Sequence, residues 1–384
     1  MIGLYFLYID IINNFKIQLD PCILLILRVI TMVQKIALFN PIGGVSKTTI
    51  FHLGWMLAEK GKKVILADTN PQCNLTGMAL GEGTEEGEER IEQIYNTKSN
   101  IKTGLAPAFE SQPKAIEAID CIPIEGRDGL FLLPGNVGFA EYEVTLGLAQ
   151  QLSGSIQTLK NLPGAINYLF ERTAEKLDAD YILIDMSPSL GSINQNLLMI
   201  SDFFMVPTTA DLFSVMAINS LSEVLPKWYR WAKSASALPI LRDADYPFPD
   251  VTLRFLGTII QNNYRIKNDK ETRAVQKWVN RIQETVSGRL VPILQTNNMT
   301  LPNESYKYEG IQDTFTLAKI TYFNSLIGLS QEYQTPVYSL KGDYVNLTGS
   351  LLEQNQRKQE EFRETFSNLA DKVIELTAAY AVSH

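Results

Sequence analysis

The sequence has few of the side chains that most often carry metal or nucleophilic chemistry. Among 384 residues it has two histidines, His52 and His384, and three cysteines, Cys22, Cys73 and Cys121, which form no CxxC pair. This pattern predicts neither a zinc site nor a disulfide framework, and it favours a reducing cytoplasm. It also leaves few candidates for a Ser–His–Asp triad, so we expect His52 to have a packing or surface role.

Long uninterrupted apolar runs are also missing. Residues 1–31 are apolar overall, but four charged residues interrupt them, Asp10, Lys16, Asp20 and Arg28. A membrane span needs roughly 18 apolar residues in succession, and a signal peptide needs a basic start and a small-residue cleavage site. We therefore expect no stable membrane span, and we interpret this segment as an N-terminal extension outside the core fold. An amphipathic membrane or partner anchor is the alternative.

The charge balance is mildly acidic. The chain has 34 basic and 42 acidic residues and a net charge of −8, with 45% hydrophobic and 20% charged residues. This balance is typical of globular proteins, and it excludes a surface that is basic all over but allows a local basic patch. The length suffices for one large α/β domain or for one domain with a smaller appendage.

Short apolar runs alternate with segments of helical periodicity from Met32 to the end of the chain. The sequence predicts buried strands at Lys35–Phe39, Val64–Ala67, Leu130–Leu133, Phe203–Val206 and Phe255–Ile260, and another in 181-YILIDMSPSLG-191. Alternation of this kind predicts a doubly wound α/β fold, with a mostly parallel sheet flanked by helices, over residues 32–384.

Three further segments have a composition of their own. The acidic, glycine-rich residues 82–92 predict a solvated loop, and the prolines near 234–252 indicate an insertion. A C-terminal helix is predicted over about 351–378, with apolar residues at 4-3-4-3 spacing. This spacing is typical of core packing, and a dimer seam is the alternative.

The stretch 38-LFNPIGGVSKTTIFHL-53 has the composition of a phosphate-binding loop between a strand and a helix. Gly43 and Gly44 allow close backbone approach, Lys47 supplies a positive charge, and Thr48 supplies a hydroxyl for Mg²⁺. The dipole of the following helix also favours an anion. We predict that the nucleotide phosphates bind Gly43, Gly44, Val45, Ser46, Lys47, Thr48 and Thr49.

Residues 36–80 and 181–207 resemble the ParA/MinD family of deviant Walker-type P-loop ATPases. The resemblance is clear over about residues 33–225 and weaker through 254–376. It implies ATP and Mg²⁺ as cofactors, a nucleotide-sandwich homodimer, and a role in positioning plasmids, chromosomes or other cargo. It further implies nonspecific DNA and a ParB-like or other adaptor protein as partners, and a cytoplasmic or nucleoid-associated location.

The same resemblance assigns roles to residues after the loop. The family motif D-x-D-P-Q reads Asp68-Thr69-Asn70-Pro71-Gln72 here, and Asp185 ends the later apolar strand. Asp68 and Asp185 stand where the family's carboxylates hold Mg²⁺, together with Thr48. Lys47, Asp68 and Asn70 occupy the positions of the family's catalytic residues.

Three positions depart from the family pattern, in which the loop reads K-G-G-x-G-K-T-T. Ser46 replaces the third glycine, which is a mild change where the backbone φ is negative. Ile42 replaces the signature lysine that reaches the partner's phosphates, and Asn70 replaces the aspartate that orients or activates the attacking water. An aliphatic side chain cannot replace a cation, and an amide oxygen is not a useful base at neutral pH. The sequence therefore predicts a dimerisation switch that binds ATP and hydrolyses it slowly or not at all.

Two other interpretations stay open. In one, the chain is a fully active ParA-type ATPase for plasmid or chromosome segregation, in which another basic residue replaces the lysine and Asp68 positions the water. In the other, it is a non-hydrolysing nucleotide-binding scaffold in a multi-protein system.

A basic stripe is predicted on a helix late in the chain. In 268-NDKETRAVQKWVNRIQ-283 the cations Lys270, Arg273, Lys277 and Arg281 share one face, opposite an apolar face. Such a stripe is suited to tracking a DNA backbone without reading its sequence, and a solvated helix face is the alternative. Lys227, Arg230 and Lys233, beside two tryptophans, form a second candidate patch.

Overall fold

The computed structural model describes residues 33–381 apart from 42, 44–45, 98, 153–154, 263–268, 309, 312, 324 and 343–349. The predictions made for residues 1–31, Ile42, Gly44 and Val45 lie outside these residues, as does the side chain of Lys270. No helix within the described ranges is long and apolar enough to cross a membrane.

The strands of the described residues form one eight-stranded sheet in the order β3-β4-β2-β5-β1-β6-β7-β8. All neighbouring strands are parallel except β3 and β4, which are antiparallel. The predicted mostly parallel sheet is therefore confirmed. The strands are β1 Gln34–Leu38, β2 Val64–Asp68, β3 Ile122–Pro123, β4 Leu130–Leu133, β5 Tyr181–Asp185, β6 Phe203–Thr209, β7 Arg254–Gln261 and β8 Thr316–Ile320.

Helices connect and flank these strands. They are α1 Ser46–Glu59, α2 Asn74–Leu80, α3 Glu85–Tyr95, α4 Ile101–Phe109, α5 Tyr142–Leu152, α6 Leu162–Leu177, α7 Ser192–Met199, α8 Leu212–Ser236, α9 Pro239–Arg242, α10 Asp269–Thr285, α11 Val291–Thr296, α12 Asn303–Tyr308, α13 Leu326–Glu332 and α14 Ser350–Ala381.

Successive side chains of the central strands point to opposite faces of the sheet, and both faces are covered by helices. Ala37 and Ile65 belong to one buried cluster, which includes residues of α6, α7 and α8. Ile36 and Leu66 belong to a second cluster, which includes residues of α1 and α14. This two-sided burial explains why the strands appear in the sequence as continuous apolar runs.

The prediction of a solvated loop over residues 82–92 is wrong, because most of this segment lies in α3. The side chain of Thr84 caps the helix by accepting a hydrogen bond from the backbone N–H of Gly87, at 3.1 Å. Glu85, Glu86 and Glu88 then occupy the first turn, where the helix dipole stabilises negative charge. The acidic residues that suggested a loop are thus suited to a helix start.

The C-terminal helix is present as α14, and its apolar stripe belongs to the core. The stripe residues are no more than 1% exposed, and they are Phe362, Phe366, Leu369, Val373 and Leu376. They pack with α1 in the second buried cluster. The core interpretation is confirmed for these side chains, and the dimer-seam interpretation is wrong.

Candidate functional site

The predicted phosphate loop connects β1, near the centre of the sheet, to the first turn of α1. Ser46, Lys47, Thr48 and Thr49 begin that helix, and the two threonines are buried. A Cβ atom at Gly43 would lie 3.2 Å from the ring of Pro188, so the glycine lets the loop run close to the segment after β5. The helix start therefore places a lysine and several hydroxyl groups at the carboxyl edge of the sheet, where doubly wound folds bind ligands.

Two buried carboxyl groups lie beside this helix start. Asp68 ends β2 and Asp185 ends β5, and the two residues are register partners on adjacent strands. Burial raises the pKa of Asp68. Burial, and then the charge of Asp68, raise the pKa of Asp185, while Ser46 and Lys47 lower it. Two adjacent buried carboxyl groups of this kind are best stabilised as anions by a bound cation.

Asp185 has one oxygen engaged and one unpaired. Its Oδ1 accepts a hydrogen bond from the hydroxyl of Ser46 at 2.5 Å. Its Oδ2 is buried and has no hydrogen-bond partner among the described residues. Oxygen ligands are those that Mg²⁺ prefers, and it commonly keeps several waters in such sites. The unpaired Oδ2, with the Thr48 hydroxyl on the neighbouring helix, therefore fits the predicted Mg²⁺ and its hydration shell.

The oxygens of Asp68, in contrast, already have donors from the protein. Oδ2 accepts hydrogen bonds from the backbone N–H and the hydroxyl of Thr76, both at 2.7 Å. Oδ1 accepts a hydrogen bond from the backbone N–H of Asn70 at 3.2 Å. The hydroxyl of Thr76 in turn accepts the N–H of Gly135 at 2.9 Å. Asp68 thus ties the end of β2 to α2 and to the segment after β4.

Asn70 forms a turn with its own side chain. Its Oδ1 accepts a hydrogen bond from the backbone N–H of Gln72 at 3.1 Å, and the residue is only 7% exposed. This local bond is the usual role of asparagine in a turn. The amide oxygen of Asn70, at the position of the family's water-orienting aspartate, is therefore engaged by the chain itself.

The segment after β5 is held by two residues that the sequence did not single out. The N–H and the hydroxyl of Thr69 both donate to the backbone carbonyl of Asp185, at 3.0 and 2.5 Å. The side-chain amide of the fully buried Asn194 donates to the carbonyls of Ser187 and Ser189, each at 2.7 Å. The sequence offered no clear signal for Asn194, because its helix, SINQNLLM, contains several polar residues.

A protein-family model described as an AAA domain, AAA_31, matches residues 33–235, which is more than half of the chain. The chain belongs to the ParA/MinD-like family of P-loop ATPases. The resemblance stated from the sequence is thus confirmed.

Some of the curated relatives carry partition and sporulation names. Over 191 residues the chain is 29% identical to the sporulation initiation inhibitor protein Soj of Bacillus subtilis, covering 50% of this chain and 64% of Soj. Over 200 residues it is 27% identical to the chromosome partitioning protein ParA of Caulobacter vibrioides, covering 50% of this chain and 62% of that protein. The match thus spans somewhat less than two thirds of each of these two relatives.

Among solved structures, that of pNOB8 ParA matches with a TM-score of 0.50 and 18% identity. The match covers 90% of this chain and 98% of that chain. At this identity the likeness concerns the fold alone, and it supports a ParA-like arrangement of sheet and helices.

His52 in this ParA/MinD-like chain is a packing residue, as expected. The N–H of Val337 donates to its Nε2 at 3.0 Å, so the proton resides on Nδ1, which lies 2.8 Å from the carbonyl of Thr48. Burial lowers the pKa of His52 to about 3, and the ring is therefore neutral. It links the first turns of α1 to a distant part of the chain.

The basic stripe is exposed where its side chains are described. Arg273, Lys277 and Arg281 face solvent on α10, while Val279 and Ile282 on the opposite face are buried. The guanidinium of Arg281 lies 5.5 Å from the centre of the Trp278 ring. Both a face that binds DNA and a face that only contacts solvent would have this exposure. DNA binding by α10 therefore stays a prediction. Lys227, Arg230 and Lys233 on α8 are also exposed.

Proposed function

We propose that the chain is a ParA-like switch that dimerises when it binds ATP and Mg²⁺, with weakened or absent hydrolysis, and that it acts in DNA partition or cargo positioning. Nonspecific DNA and an adaptor protein of the ParB kind would be its partners. The observation that carries the proposal is the buried carboxyl pair Asp68 and Asp185 beside a helix start that carries Lys47 and Thr48.

Each member of this group would have a distinct role. The ammonium of Lys47 and the N–H groups of the helix start would hold the phosphates, since both attract anions. The Thr48 hydroxyl and Oδ2 of Asp185 would hold the metal and its waters. Mg²⁺, when bound, supplies charge neutralisation between the phosphate oxygens. Asp68, held by Thr76 and Asn70, would fix the geometry of the neighbouring strand end.

Weakened hydrolysis is supported by the surroundings of Asn70. Its amide oxygen accepts a hydrogen bond from Gln72, and an amide takes up no proton from water. The neighbouring Asp68 is a poor substitute, because three hydrogen bonds from Thr76 and Asn70 engage both of its oxygens. The carboxylate of Asp185, the register partner of Asp68, is the proposed metal ligand and would not take the place of the family aspartate.

Dimerisation is supported by apolar side chains exposed near the site. Leu190 follows β5, and Leu212, Phe213 and Met216 follow β6. These strands flank β1, so the four side chains lie at the same edge of the sheet as the phosphate loop. Phe213 is 61% and Met216 53% exposed, which is unusual for side chains of this size. A second copy of the chain that closed over the nucleotide would cover them.

The proposal is tested by measuring ATP–Mg²⁺ binding by calorimetry alongside phosphate release. Lys47→Ala removes the main cation and Thr48→Ala removes a metal ligand, so each should weaken binding on the order of tenfold or more. Lys114→Ala and Thr158→Ala, on exposed residues elsewhere, are matched controls. If both loop variants bind ATP–Mg²⁺ as tightly as the parent, the assignment of the site is wrong. Tight binding by the parent with neither phosphate release nor ATP-dependent dimerisation would favour the non-hydrolysing scaffold.

A further inference from the structure

Ser46 occupies the position at which the ParA/MinD pattern has its third glycine. Because it is the first residue of α1, its backbone is helical and a side chain there costs no strain. Its hydroxyl donates a hydrogen bond to Oδ1 of Asp185 at 2.5 Å, across 139 residues of sequence. A glycine has no atom that could make this contact.

Because of this contact, the two oxygens of the Asp185 carboxylate have different surroundings. Oδ1 is held by Ser46, while Oδ2 is buried and has no partner among the described residues. An unpaired oxygen on a carboxylate that is 0% exposed is costly unless a cation or a donor completes it. The free oxygen is therefore the one suited to a metal or to a water that the metal carries.

The backbone of Asp185 is held independently of its carboxylate. The N–H and hydroxyl of Thr69 both bond to the Asp185 carbonyl, and β5 pairs with β1 and β2 on its two sides. The orientation of the side chain, in contrast, depends on the Ser46 hydroxyl alone among the hydrogen bonds of the described residues. Removing that hydroxyl would free the carboxylate to rotate without disturbing the strand.

We propose that Ser46 is a positioning residue for Mg²⁺, whose hydroxyl holds Oδ1 of Asp185 so that Oδ2 is presented to the metal. This inference rests on the proposed function of the same site. A residue that orients a metal-binding carboxylate through a hydrogen bond typically contributes 10- to 100-fold to metal affinity. Ser46 thereby contributes to metal binding at a position where the family pattern has no side chain.

The test measures the Mg²⁺ dependence of nucleotide binding, using the fluorescence anisotropy of mant-ATP with the full chain. Ser46→Ala and Ser46→Gly should raise the Mg²⁺ concentration required for half-maximal tight binding about tenfold or more. Binding in EDTA should be unchanged, because Lys47 and the backbone still contact the phosphates. Mn²⁺ binding followed by electron paramagnetic resonance should show the same loss without any turnover.

Two further variants separate positioning from folding. Ser46→Thr keeps a hydroxyl and should retain the Mg²⁺ requirement of the parent within about threefold. Thr69→Val removes the hydroxyl that bonds to the carbonyl of Asp185 and should also retain it, although it destabilises the same strand end. Thermal unfolding of each variant reports whether the fold is kept.

Several results would overturn the inference. Ser46→Ala and Ser46→Gly that require no more Mg²⁺ than the parent would show that the hydroxyl does not orient the metal site. If the Ser46 variants bind mant-ATP more weakly than the parent to the same extent in EDTA and in Mg²⁺, the role of Ser46 is to hold the phosphate loop rather than the metal site. A parent that binds mant-ATP without any effect of Mg²⁺ would also exclude it. A parent that binds no nucleotide at all is a different result, because it would refute the proposed function itself.

Discussion

At the scale of single residues, Asn70 combines a turn-forming bond with a family position that normally carries a carboxylate. An aspartate there could keep the hydrogen bond from Gln72 with one oxygen and offer the other to water. A second departure, Ile42, lacks the cation that in the family reaches the partner's phosphates. In the proposed function both changes would act on the hydrolysis step, and both leave the groups proposed to bind ATP in place.

We therefore predict that Ile42→Lys combined with Asn70→Asp raises ATP hydrolysis well above that of the parent. One missing electrostatic contact typically costs about 10²–10³ in rate, and an unactivated water roughly another 10²-fold. Because both act on one transition state, the two gains need not add, and each single change should give less. The measurement is phosphate release by all four proteins at saturating ATP and Mg²⁺.

Nucleotide affinity, measured in the same four proteins, is the control for this comparison. It should change little, because neither substitution removes Lys47 or Thr48. Parent turnover already equal to that of the double variant would mean that other residues fill both roles. The fully active ATPase would then be the correct interpretation.

At the scale of elements, α1 is joined to the segment before α14 through His52. Beyond the bond from Val337 to its ring, its carbonyl accepts the hydroxyl of Tyr338 at 2.6 Å. The ring also lies against Phe323 and Phe366, with centroids 5.3 and 5.1 Å away. The turn that carries Thr48 is thus supported by the far end of the chain.

This burial predicts a pH-dependent contribution to stability. Since the folded pKa of His52 is lowered to about 3, the unfolded chain binds a proton below about pH 6.5 that the folded chain does not. The buried neutral ring of His52 therefore makes its full contribution to the free energy of unfolding above that pH, and this contribution is lost as the pH falls. Between pH 7 and 5.5 the parent should lose about 1 kcal/mol of unfolding free energy more than His52→Gln. Urea unfolding of both proteins at the two pH values measures it.

In this comparison His52→Gln also acts as the control, because every other titrating group is shared by the two proteins. The variant should be less stable than the parent at pH 7, since the ring contacts are lost. A stability difference that stays constant between the two pH values would contradict a buried neutral imidazole.

A second element, α10, carries the predicted DNA-binding stripe. Reversing Lys270, Arg273, Lys277 and Arg281 to glutamate should abolish DNA binding while leaving the fold intact. Four phosphate contacts also predict that parent affinity falls on the order of 10²-fold between about 50 and 200 mM salt, for any DNA sequence. Electrophoretic mobility shift at several salt concentrations, with two unrelated duplexes, measures both effects.

The matched control makes the same change in net charge at exposed cations elsewhere, which are Lys114, Lys307, Lys319 and Arg357. This variant should retain most of the DNA affinity, because its cations share no single helix face. Unchanged DNA retention by the stripe variant would assign the α10 face to solvation. Equal loss in both variants would indicate a response to overall charge.

At the scale of the whole molecule, the site lies at one edge of the sheet, where four large apolar side chains are exposed. Phe213 and Met216 lie in the first turns of α8, beside the end of β6. We predict that Phe213→Ser weakens ATP-dependent dimerisation about tenfold or more, because burial of an aromatic side chain contributes on the order of 2 kcal/mol. Sedimentation equilibrium with a slowly hydrolysed ATP analogue measures the dimer.

The control for this prediction is Leu238→Ser, just beyond the other end of the same helix. Leu238 is 40% exposed, and a helix of 25 residues places it roughly 37 Å from Phe213. This variant should dimerise like the parent, and both variants should still bind nucleotide as monomers. Full dimerisation of Phe213→Ser would place the interface on another face.

Local pattern was enough to predict most of the fold and the chemical character of the site. Helices cover both faces of the sheet, so runs such as Val64–Asp68 and Tyr181–Asp185 are apolar up to their last residue. The burial of these strands can therefore be predicted from their residue types. The glycines, lysine and threonines of the loop are adjacent in the chain, and one turn of helix places them together. The segment 85–95 was the exception, because its glutamates favour both solvent and a helix start.

Only the tertiary structure decided which distant groups meet. Asp68 lies beside Asp185 because β2 and β5 are adjacent in the sheet. The residue pattern within each strand does not indicate which other strand lies next to it. The same holds for the hydroxyl of Ser46 on Asp185, and for the bond from Val337 to His52 across 285 residues. The sequence by itself determined the strands, the loop and the residue types at their ends. The pairing of those ends required the folded sheet, because side chains far apart in the chain contact one another only after the strands have assembled.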